Sequence, residues 1–405
     1  MTANNKPELY IPIWKKTSTG QRQVLIISVI LAMTAWFIGF FSSKTDVIPL
    51  VSEILPEAAR VETRGNIFIA FNSKDEIIGY AALGKGQGYG GPIEMLVGID
   101  PQGEITSVKI VTQRETPGFF RLILSEGFPE QYIGHTFKDP LQLNSDLDAV
   151  SGATVSSEGI AASARQAIRL LAQQGLGTKL PPEKQGIKFG IPEITLIGLY
   201  AAGYFGHKLR SSIWKKRIRW GTMLVGMIVL GFIYTAPLTI AQIISLLSGY
   251  WPDWHNNLYW YLLIGGIIFV TTVDAKNPYC NWFCPFGAFQ ECIAQITGAK
   301  LYRPRKLNTF FTWLQRGLAF VAVLLGLALR RPGVAGYEPF ATLFDLRGTT
   351  FEVALLLIVI IASLMMYRPF CNYLCPLDPV YDFIAESRRW VREVWVLWKK
   401  KNQNG

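Results

Sequence analysis

Two sets of side chains in this sequence are spaced to do chemistry. The first is Asp148-Ala-Val-Ser151-Gly152-Ala153-Thr154, followed by Val155-Ser156-Ser157-Glu158. Small residues let a ligand approach the backbone, and the run ends in hydroxyls just ahead of Ile160, Ala164, Ala167, Ile168 and Leu171, apolar positions at helical spacing. The pattern predicts a helix starting near Ser156 or Ser157, whose unpaired N–H groups attract a phosphate beside a hydroxyl. Taken alone, Ser-Gly-Ala-Thr would serve equally well as a helix cap rich in small residues. The second set is four cysteines in two matching turns, Pro278-Tyr-Cys280-Asn-Trp-Phe-Cys284-Pro285-Phe286 and Pro369-Phe-Cys371-Asn-Tyr-Leu-Cys375-Pro376-Leu377. Cysteines four apart share a helix face, and the proline that follows ends or bends the element, so each turn can aim two sulfurs at one point. Two turns give four thiolates, enough for one iron–sulfur cluster and equally for a structural zinc.

The first set resembles the flavinylation motif Asp-x-x-Ser-Gly-Ala-Thr of FMN-binding domains. That likeness implies that a flavin transferase attaches FMN through its phosphate to Thr154, with Asp148, Ser151, Gly152 and Ala153 completing the motif. Upstream, Gly86-Gln-Gly88-Tyr89-Gly90-Gly91-Pro92 and Glu115-Thr116-Pro117-Gly118 would each be a turn if read alone. Both are similar to segments that line the flavin in that family, which implies contacts from Tyr89, Gly90, Glu115, Thr116 and Gly118. The cysteine turns, each placed behind apolar helices, resemble the membrane portion of NosR/NirI-type proteins and of their shorter PceC-type relatives from organohalide respiration. In those proteins the segment is classed as iron–sulfur binding, usually 4Fe-4S, which implies Cys280, Cys284, Cys371 and Cys375 as ligands. The likeness runs from Ser42 to about Ser387. It departs from the longer members in having no Cys-x-x-Cys-x-x-Cys-x-x-x-Cys-Pro ferredoxin run, which puts docking of a ferredoxin-like donor in doubt.

The elements that must position these residues follow from composition. The chain has 405 residues, half of them hydrophobic, and a mean hydropathy of +0.24, too apolar for an ordinary soluble protein. Six apolar segments are candidate transmembrane helices: Val24–Phe41, Ile191–Phe205, Gly221–Leu247, Leu258–Val273, Phe310–Leu329 and Phe351–Tyr367, the second and fourth being short for a bilayer. The net charge of +11 is unevenly spread. Residues 42–185 carry 13 Lys and Arg against 17 Asp and Glu, whereas Lys15-Lys16, Lys208–Arg219, Lys300–Lys306, Arg388–Arg392 and Lys399–Lys401 flank the apolar segments. With six spans and a cytoplasmic N-terminus these five clusters fall on one side, as the positive-inside rule requires. The opposite loops carry Lys188, Arg330, Arg331 and Arg347. Residues 42–185 are then extracytoplasmic, within reach of a secreted flavin transferase.

The expected organisation is residues 1–41 as a cytoplasmic N-terminus and retained signal anchor, and 42–185 as an α+β FMN-binding domain. Residues 186–378 form an all-α membrane domain of five further helices, and 379–405 a basic amphipathic tail with Trp390, Trp395 and Trp398 at the membrane surface. Strands are predicted at Asn66–Phe71, Glu76–Leu83, Pro92–Ile99 and Glu104–Thr112, an antiparallel meander. Leu180-Pro-Pro-Glu-Lys-Gln-Gly reads as a linker. The two cysteine turns repeat at an offset of 91 residues, each behind a pair of apolar spans, so the membrane part reads as a duplicated unit. Cys292 aligns with Phe383 and reads as a packing residue.

Arg316, inside a span, is either functional or snorkels to the cytoplasm. His135, His207 and His255 read as isolated histidines rather than haem or quinone ligands. No DNA-binding motif, P-loop, Rossmann fingerprint or Ser-His-Asp set stands out, so no nucleic acid partner and no catalytic residue is expected.

The whole pattern implies a multi-pass electron-transfer flavoprotein of a bacterial cytoplasmic membrane. Electrons would pass between a cytoplasmic-side iron–sulfur centre or the quinone pool and covalent FMN outside, serving an extracytoplasmic reductase or its maturation. A cytoplasmic electron donor or quinone and an extracytoplasmic redox protein would be its partners. The alternative is a redox-sensing membrane regulator.

Overall fold

The computed structural model describes residues 19–42, 47–115, 117–178, 180, 186–187, 189–274, 277–299, 305–346 and 348–403. Thr116, Lys188, Arg347, most of the expected linker and the first basic cluster lie outside them, as do the side chains of His207 and Trp398.

Helix α1 (Thr19–Ser42) leads into a sheet domain that opens with the short helix α2 (Ile48–Ile54). Strands β1 (Arg60–Arg64), β2 (Ile67–Phe71), β3 (Ile77–Gln87), β4 (Pro92–Ile99) and β5 (Ile105–Thr112) pair antiparallel in sequence order. Four of the five match the predicted meander. The fifth, β1, reads Arg-Val-Glu-Thr-Arg, a mostly exposed edge strand whose charges hide it from a hydrophobic pattern. Helix α3 (Pro117–Ser125) and helix α4 (Thr154–Leu170) follow. Alternation along the strands decides the layers. Ile67, Ile69, Ala82, Ile93, Met95 and Val97 face Ile160, Ala161, Ala164, Ala167 and Ile168 of α4, while Ala70, Ala81 and Leu96 on the other face pack on Val51, Ile54 and Leu55. The sheet is thus covered on both sides, an α+β domain.

β3 runs on through Gly86 to Gln87, because Gly86 pairs with Ile93 and Gln87 with Pro92. Gly86, which opens the Gly86–Gly91 run, and Gly84 before it therefore serve a helix rather than a loop. A Cβ on Gly84 would stand 1.9 Å from the Ser163 carbonyl oxygen, and one on Gly86 1.9 Å from that of Gly159. Both clashes are with backbone, which cannot swing aside, so α4 lies directly on β3. Gly84→Ala is expected to lower stability by at least about 1–3 kcal/mol, the usual cost of overpacking, and to shift the thermal unfolding midpoint of the purified chain downward. An unchanged midpoint would contradict this packing.

The helical half comprises α5 (Ile191–Lys208), α6 (Ser212–Val225), α7 (Ile240–Leu247), α8 (Leu258–Asp274), α9 (Pro285–Thr297), α10 (Arg305–Ala328), α11 (Phe340–Phe344), α12 (Thr350–Met365), α13 (Pro369–Tyr373) and α14 (Leu377–Gln403). Among the described residues, Gln23–Ser42 in α1 and Thr309–Ala328 in α10 are long and apolar enough to cross a membrane. Leu258–Val273 and Thr350–Met365 are apolar but shorter.

The expected span Gly221–Leu247 is not one helix. α6 continues as a wide π-helical stretch, Gly226–Ile233, and the chain then breaks at Thr235-Ala236-Pro237 before α7. Proline has no N–H to continue the ladder, and Thr235 adopts a left-handed φ of 45°. The second half repeats the plan: α10, the short α11, then α12. Each half therefore carries a short helix between its two longer ones, a feature the cysteine repeat alone does not predict.

Candidate cofactor sites

α4 starts at Thr154, with Ala153 as its cap, two residues earlier than the apolar spacing predicts. Gly152 precedes it at φ 79°, a left-handed turn that glycine adopts without strain. Thr154 is consequently exposed on the first turn of a 17-residue helix, with unpaired N–H groups around it. Exposed Asp148 and Ser151 and half-buried Gly118 line a cavity of about 1050 Å³ together with Phe119, Leu122 and Gln131. Its far wall comes from the helical half: Leu346, Thr349, Phe351 and Val353, at the start of α12. Thr349 caps that helix by accepting from the Glu352 N–H and stands across from Gly118. Gln131 fixes the rim, accepting the Asp148 N–H at 2.8 Å and donating to the Asp148 carbonyl at 3.3 Å. Thr154 is not itself in the cavity wall, which reaches Ser151 three residues before it; an exposed hydroxyl at a helix start and a roomy, partly apolar cavity are what a tethered flavin phosphate and ring need.

Glu115, an expected flavin contact, is 2% exposed and hydrogen-bonded within the protein. Its carboxylate accepts the Ser156 hydroxyl at 2.5 Å and the Gly90 N–H at 3.1 Å. It ties the Gly88–Gly91 loop to the first turn of α4. Burial pushes its carboxyl up to about 7, the hydrogen bonds from Ser156 and Gly90 pulling back only in part.

The folded domain therefore holds a proton that the unfolded chain releases near pH 4.5. This contribution, up to about 3 kcal/mol, is complete below pH 4.5 and is lost as pH rises through 7. Glu115→Gln is expected to flatten the fall in thermal stability between pH 5 and about 8. An equal slope in both proteins would rule this out. Tyr89 and Gly90 do not face the cavity. Tyr89 is half-buried against Phe119, ring centroids 5.7 Å apart, and Gly90 accepts the Ser245 hydroxyl of α7 at 3.1 Å.

In the helical half both cysteine turns close the same way: the Cys284 N–H donates to the Tyr279 carbonyl and the Cys375 N–H to the Phe370 carbonyl. Cys284 and Cys375 are 7% and 6% exposed, Cys280 and Cys371 half-buried, and all four are free thiols. Each buried cysteine precedes a helix start, with the Phe286 and Gly287 N–H groups on one sulfur and the Leu377 N–H on the other. Such N–H groups favour a thiolate. All four sulfurs lie within electrostatic reach of one another.

The repeat also exchanges partners. Gln290, after the first turn, donates to the Cys371 sulfur at 3.2 Å and accepts the Phe370 N–H. Tyr381, its counterpart after the second turn, lies near Cys280 and Cys284 with a buried hydroxyl that has no hydrogen-bond partner among the described residues. Among the described residues no three His, Cys, Asp or Glu side chains converge tightly enough to hold a single metal ion. Four cysteine sulfurs on two turns are the number that one iron–sulfur cluster takes.

Sequence reasoning misses the cation beside these sulfurs. Arg368, 9% exposed, pairs with Glu291 at 2.5 Å and donates to the Cys280 carbonyl at 3.1 Å, and Arg219 grips the same carboxylate bidentately, both contacts at 2.7 Å. Two arginines on one glutamate leave a net positive charge next to the four sulfurs. The signal lies in the repeat: Arg368 precedes the second cysteine turn where Asn277 precedes the first. Arg316 pairs with Asp382 of α14 at 2.9 Å. His135 and His255 contact the nearby Asp139 and Asp253, away from the cysteines. Cys292 is half-buried on α9, next to Glu291.

Residues 88–169 match the FMN-binding domain family, and residues 256–304 and 349–393 match the 4Fe-4S binding domain family. The chain joins an FMN-binding domain to a 4Fe-4S binding domain. Its relatives agree, with NirI and NosR among the most similar curated proteins. NirI of Paracoccus denitrificans is 30% identical over 42% of this chain and 26% of its own length. The regulatory protein NosR of Pseudomonas aeruginosa is 25% identical over 43% of this chain and 26% of its own. A component of an ion-translocating oxidoreductase complex from Methanosarcina acetivorans is 28% identical over 31% of this chain and 74% of its own length. The chain thus matches about a quarter of the length of NirI and NosR.

Proposed function

We propose that this protein is a multi-pass membrane flavoprotein that carries electrons between an iron–sulfur centre held by Cys280, Cys284, Cys371 and Cys375 and FMN esterified to Thr154. FMN supplies an acceptor and donor of electrons, and the cluster a one-electron centre; the chain supplies tethering, enclosure and electrostatics. Thr154 bears the phosphate at the start of α4. Gly118, Asp148 and Ser151 border the ring cavity, which the start of α12 closes. Arg368 sets the field at the sulfurs.

The observation that carries this reading is the docking of the flavin-motif loop onto the helical half. Arg114, beside the Glu-Thr-Pro-Gly segment, and Arg330, at the end of α10, both donate to the Tyr250 hydroxyl, at 2.7 and 2.6 Å. Their guanidinium carbons each lie 4.8 Å from its ring centroid. Electron tunnelling falls off steeply with distance, and a clamped domain holds its centre at one separation from the helical half.

The charge pattern supports a cytoplasmic N-terminus, six membrane passages and an extracytoplasmic FMN domain. Arg330, an exception to that pattern, is accounted for by the clamp. The flavin transferase, a quinone or cytoplasmic donor and an extracytoplasmic redox protein are the partners this reading requires. Purified from cells that also make a flavin transferase, the protein should show flavin and iron–sulfur absorption together, and a quinol should bleach the flavin, which an external acceptor then restores. Bleaching without recovery would favour the redox-sensing regulator instead, a regulatory role being what the name of the NosR relative states.

A further inference from the structure

Two positions break the symmetry between the cysteine turns, and each carries a buried donor without an acceptor. At the offset of 91 residues Arg368 stands where the first half has Asn277, and Tyr381 where it has Gln290. The first-half residues are satisfied within the protein. The Asn277 side-chain oxygen accepts the Cys280 N–H at 2.9 Å, and Gln290 accepts the Phe370 N–H at 2.9 Å while donating to the Cys371 sulfur at 3.2 Å. Their counterparts differ. Among the described residues the Arg368 Nε and the Tyr381 hydroxyl have no hydrogen-bond partner, although the two residues are 9% and 6% exposed. A buried donor without an acceptor carries the full desolvation cost of its group, which a bound acceptor would remove.

Arg368 lies across both turns. Its side chain starts three residues before Cys371, on backbone with a left-handed φ of 50°, a conformation that residues other than glycine seldom adopt and that persists where the surroundings enforce it. Its Nη1 donates to the Cys280 carbonyl at 3.1 Å. A Cβ placed on Gly287 would stand 3.5 Å from that same nitrogen and 3.7 Å from the Cys284 Cβ, so the guanidinium runs alongside Cys284 as well. Nη2 is held by Glu291 and by the Met223 sulfur at 3.6 Å. Nε is the nitrogen left over. Tyr381 follows from the repeat: Gln290 reaches the sulfur of Cys371, the repeat relates Cys371 to Cys280, and Tyr381 lies beside Cys280.

Resting on the iron–sulfur reading above, we propose that Arg368 and Tyr381 tune the centre held by the four cysteines: the Arg368 Nε–H and the Tyr381 O–H donate to its sulfur, and together with the Arg368 charge they hold its reduction potential up. Uptake of one electron adds one negative charge to such a centre. A fixed cation and donors directed at sulfur favour that reduced form, since cluster potentials depend on net charge and on hydrogen bonds to the sulfurs. Burial of the cysteines acts the other way by disfavouring the more negative state, and the guanidinium offsets it. Holding the two turns together would not require a charge. In the first half neutral Asn277 and Gln290 do that through ordinary hydrogen bonds.

A redox titration of the full chain, followed by the EPR signal of the reduced cluster, tests this. Arg368→Gln should lower the midpoint enough to cut the ratio of reduced to oxidised cluster at a fixed potential at least tenfold, ~59 mV for a one-electron centre. Arg368→Lys, which keeps the charge and loses the Nε–H, should lower it by less. Tyr381→Phe, which keeps the ring and removes the hydroxyl, should lower it too, at full iron content. A purely structural role predicts lost iron with an unchanged midpoint in the protein that retains its cluster, and that result would overturn the proposal. Where Arg368→Gln holds no iron, Arg368→Lys and Tyr381→Phe decide, and unchanged midpoints in both would overturn it. Should the unsubstituted protein bind no iron, the iron–sulfur reading fails instead, and metal analysis of the same samples distinguishes the two results.

Discussion

Thr154→Ala should abolish the flavin fluorescence that persists in a denaturing gel, while Thr154→Ser should retain part of it. Covalent attachment through phosphate needs a hydroxyl that a transferase can reach, and Thr154 is exposed on the first turn of α4. Ser151, also exposed, lies on the turn before that helix, and Ser156 and Ser157 are 1% and 0% exposed, Ser156 donating to Glu115. Neither buried serine can substitute without unfolding the start of the helix. Because the replaced side chain is at the surface, the change in stability should stay within about 0.5 kcal/mol, and loss of flavin would not reflect loss of fold. Fluorescence surviving in the alanine variant would remove Thr154 from the site and leave Ser151 as the hydroxyl to examine.

Replacing either cysteine pair by serine should remove all of the cluster iron rather than half. The four sulfurs form one group, and the partners cross over: Gln290 of the first half serves Cys371, and Tyr381 of the second lies near Cys280 and Cys284. A serine hydroxyl fits the space of the thiol but does not ionise at neutral pH, so it is a poor ligand for iron. Cys280→Ser with Cys284→Ser, and Cys371→Ser with Cys375→Ser, should therefore give the same colourless protein. Cys292→Ser should keep the iron and absorption of the parent. Half the iron remaining in each pair variant would mean two independent sites and would break the shared-cluster reading. Zinc in place of iron in the parent protein would revive the structural alternative.

Sequence alone determined much of this protein, because the relevant signals are local. Thr154 sits where small residues precede an amphipathic run, the cysteines recur at four-residue spacing before proline, and three of four predicted strands keep their bounds within one residue. Backbone geometry and hydrogen bonding act over a few residues, so such patterns are legible without a fold. Edge strand β1 is invisible to them because an exposed edge need not be apolar, and the segment Gly221–Leu247 reads as continuous because hydropathy does not register a proline break between two apolar helices.

What only the tertiary structure decided was which distant residues meet. Glu115 became a buried tie because Ser156, 41 residues away, closes on it. Arg368 gained its place beside the sulfurs through Glu291 and Arg219, on two other helices. Ser245 of α7 came to donate to the Gly90 carbonyl, 155 residues away in the chain, because α7 packs against the FMN domain. Contacts of that kind depend on packing between elements far apart in the chain, and no spacing rule encodes them.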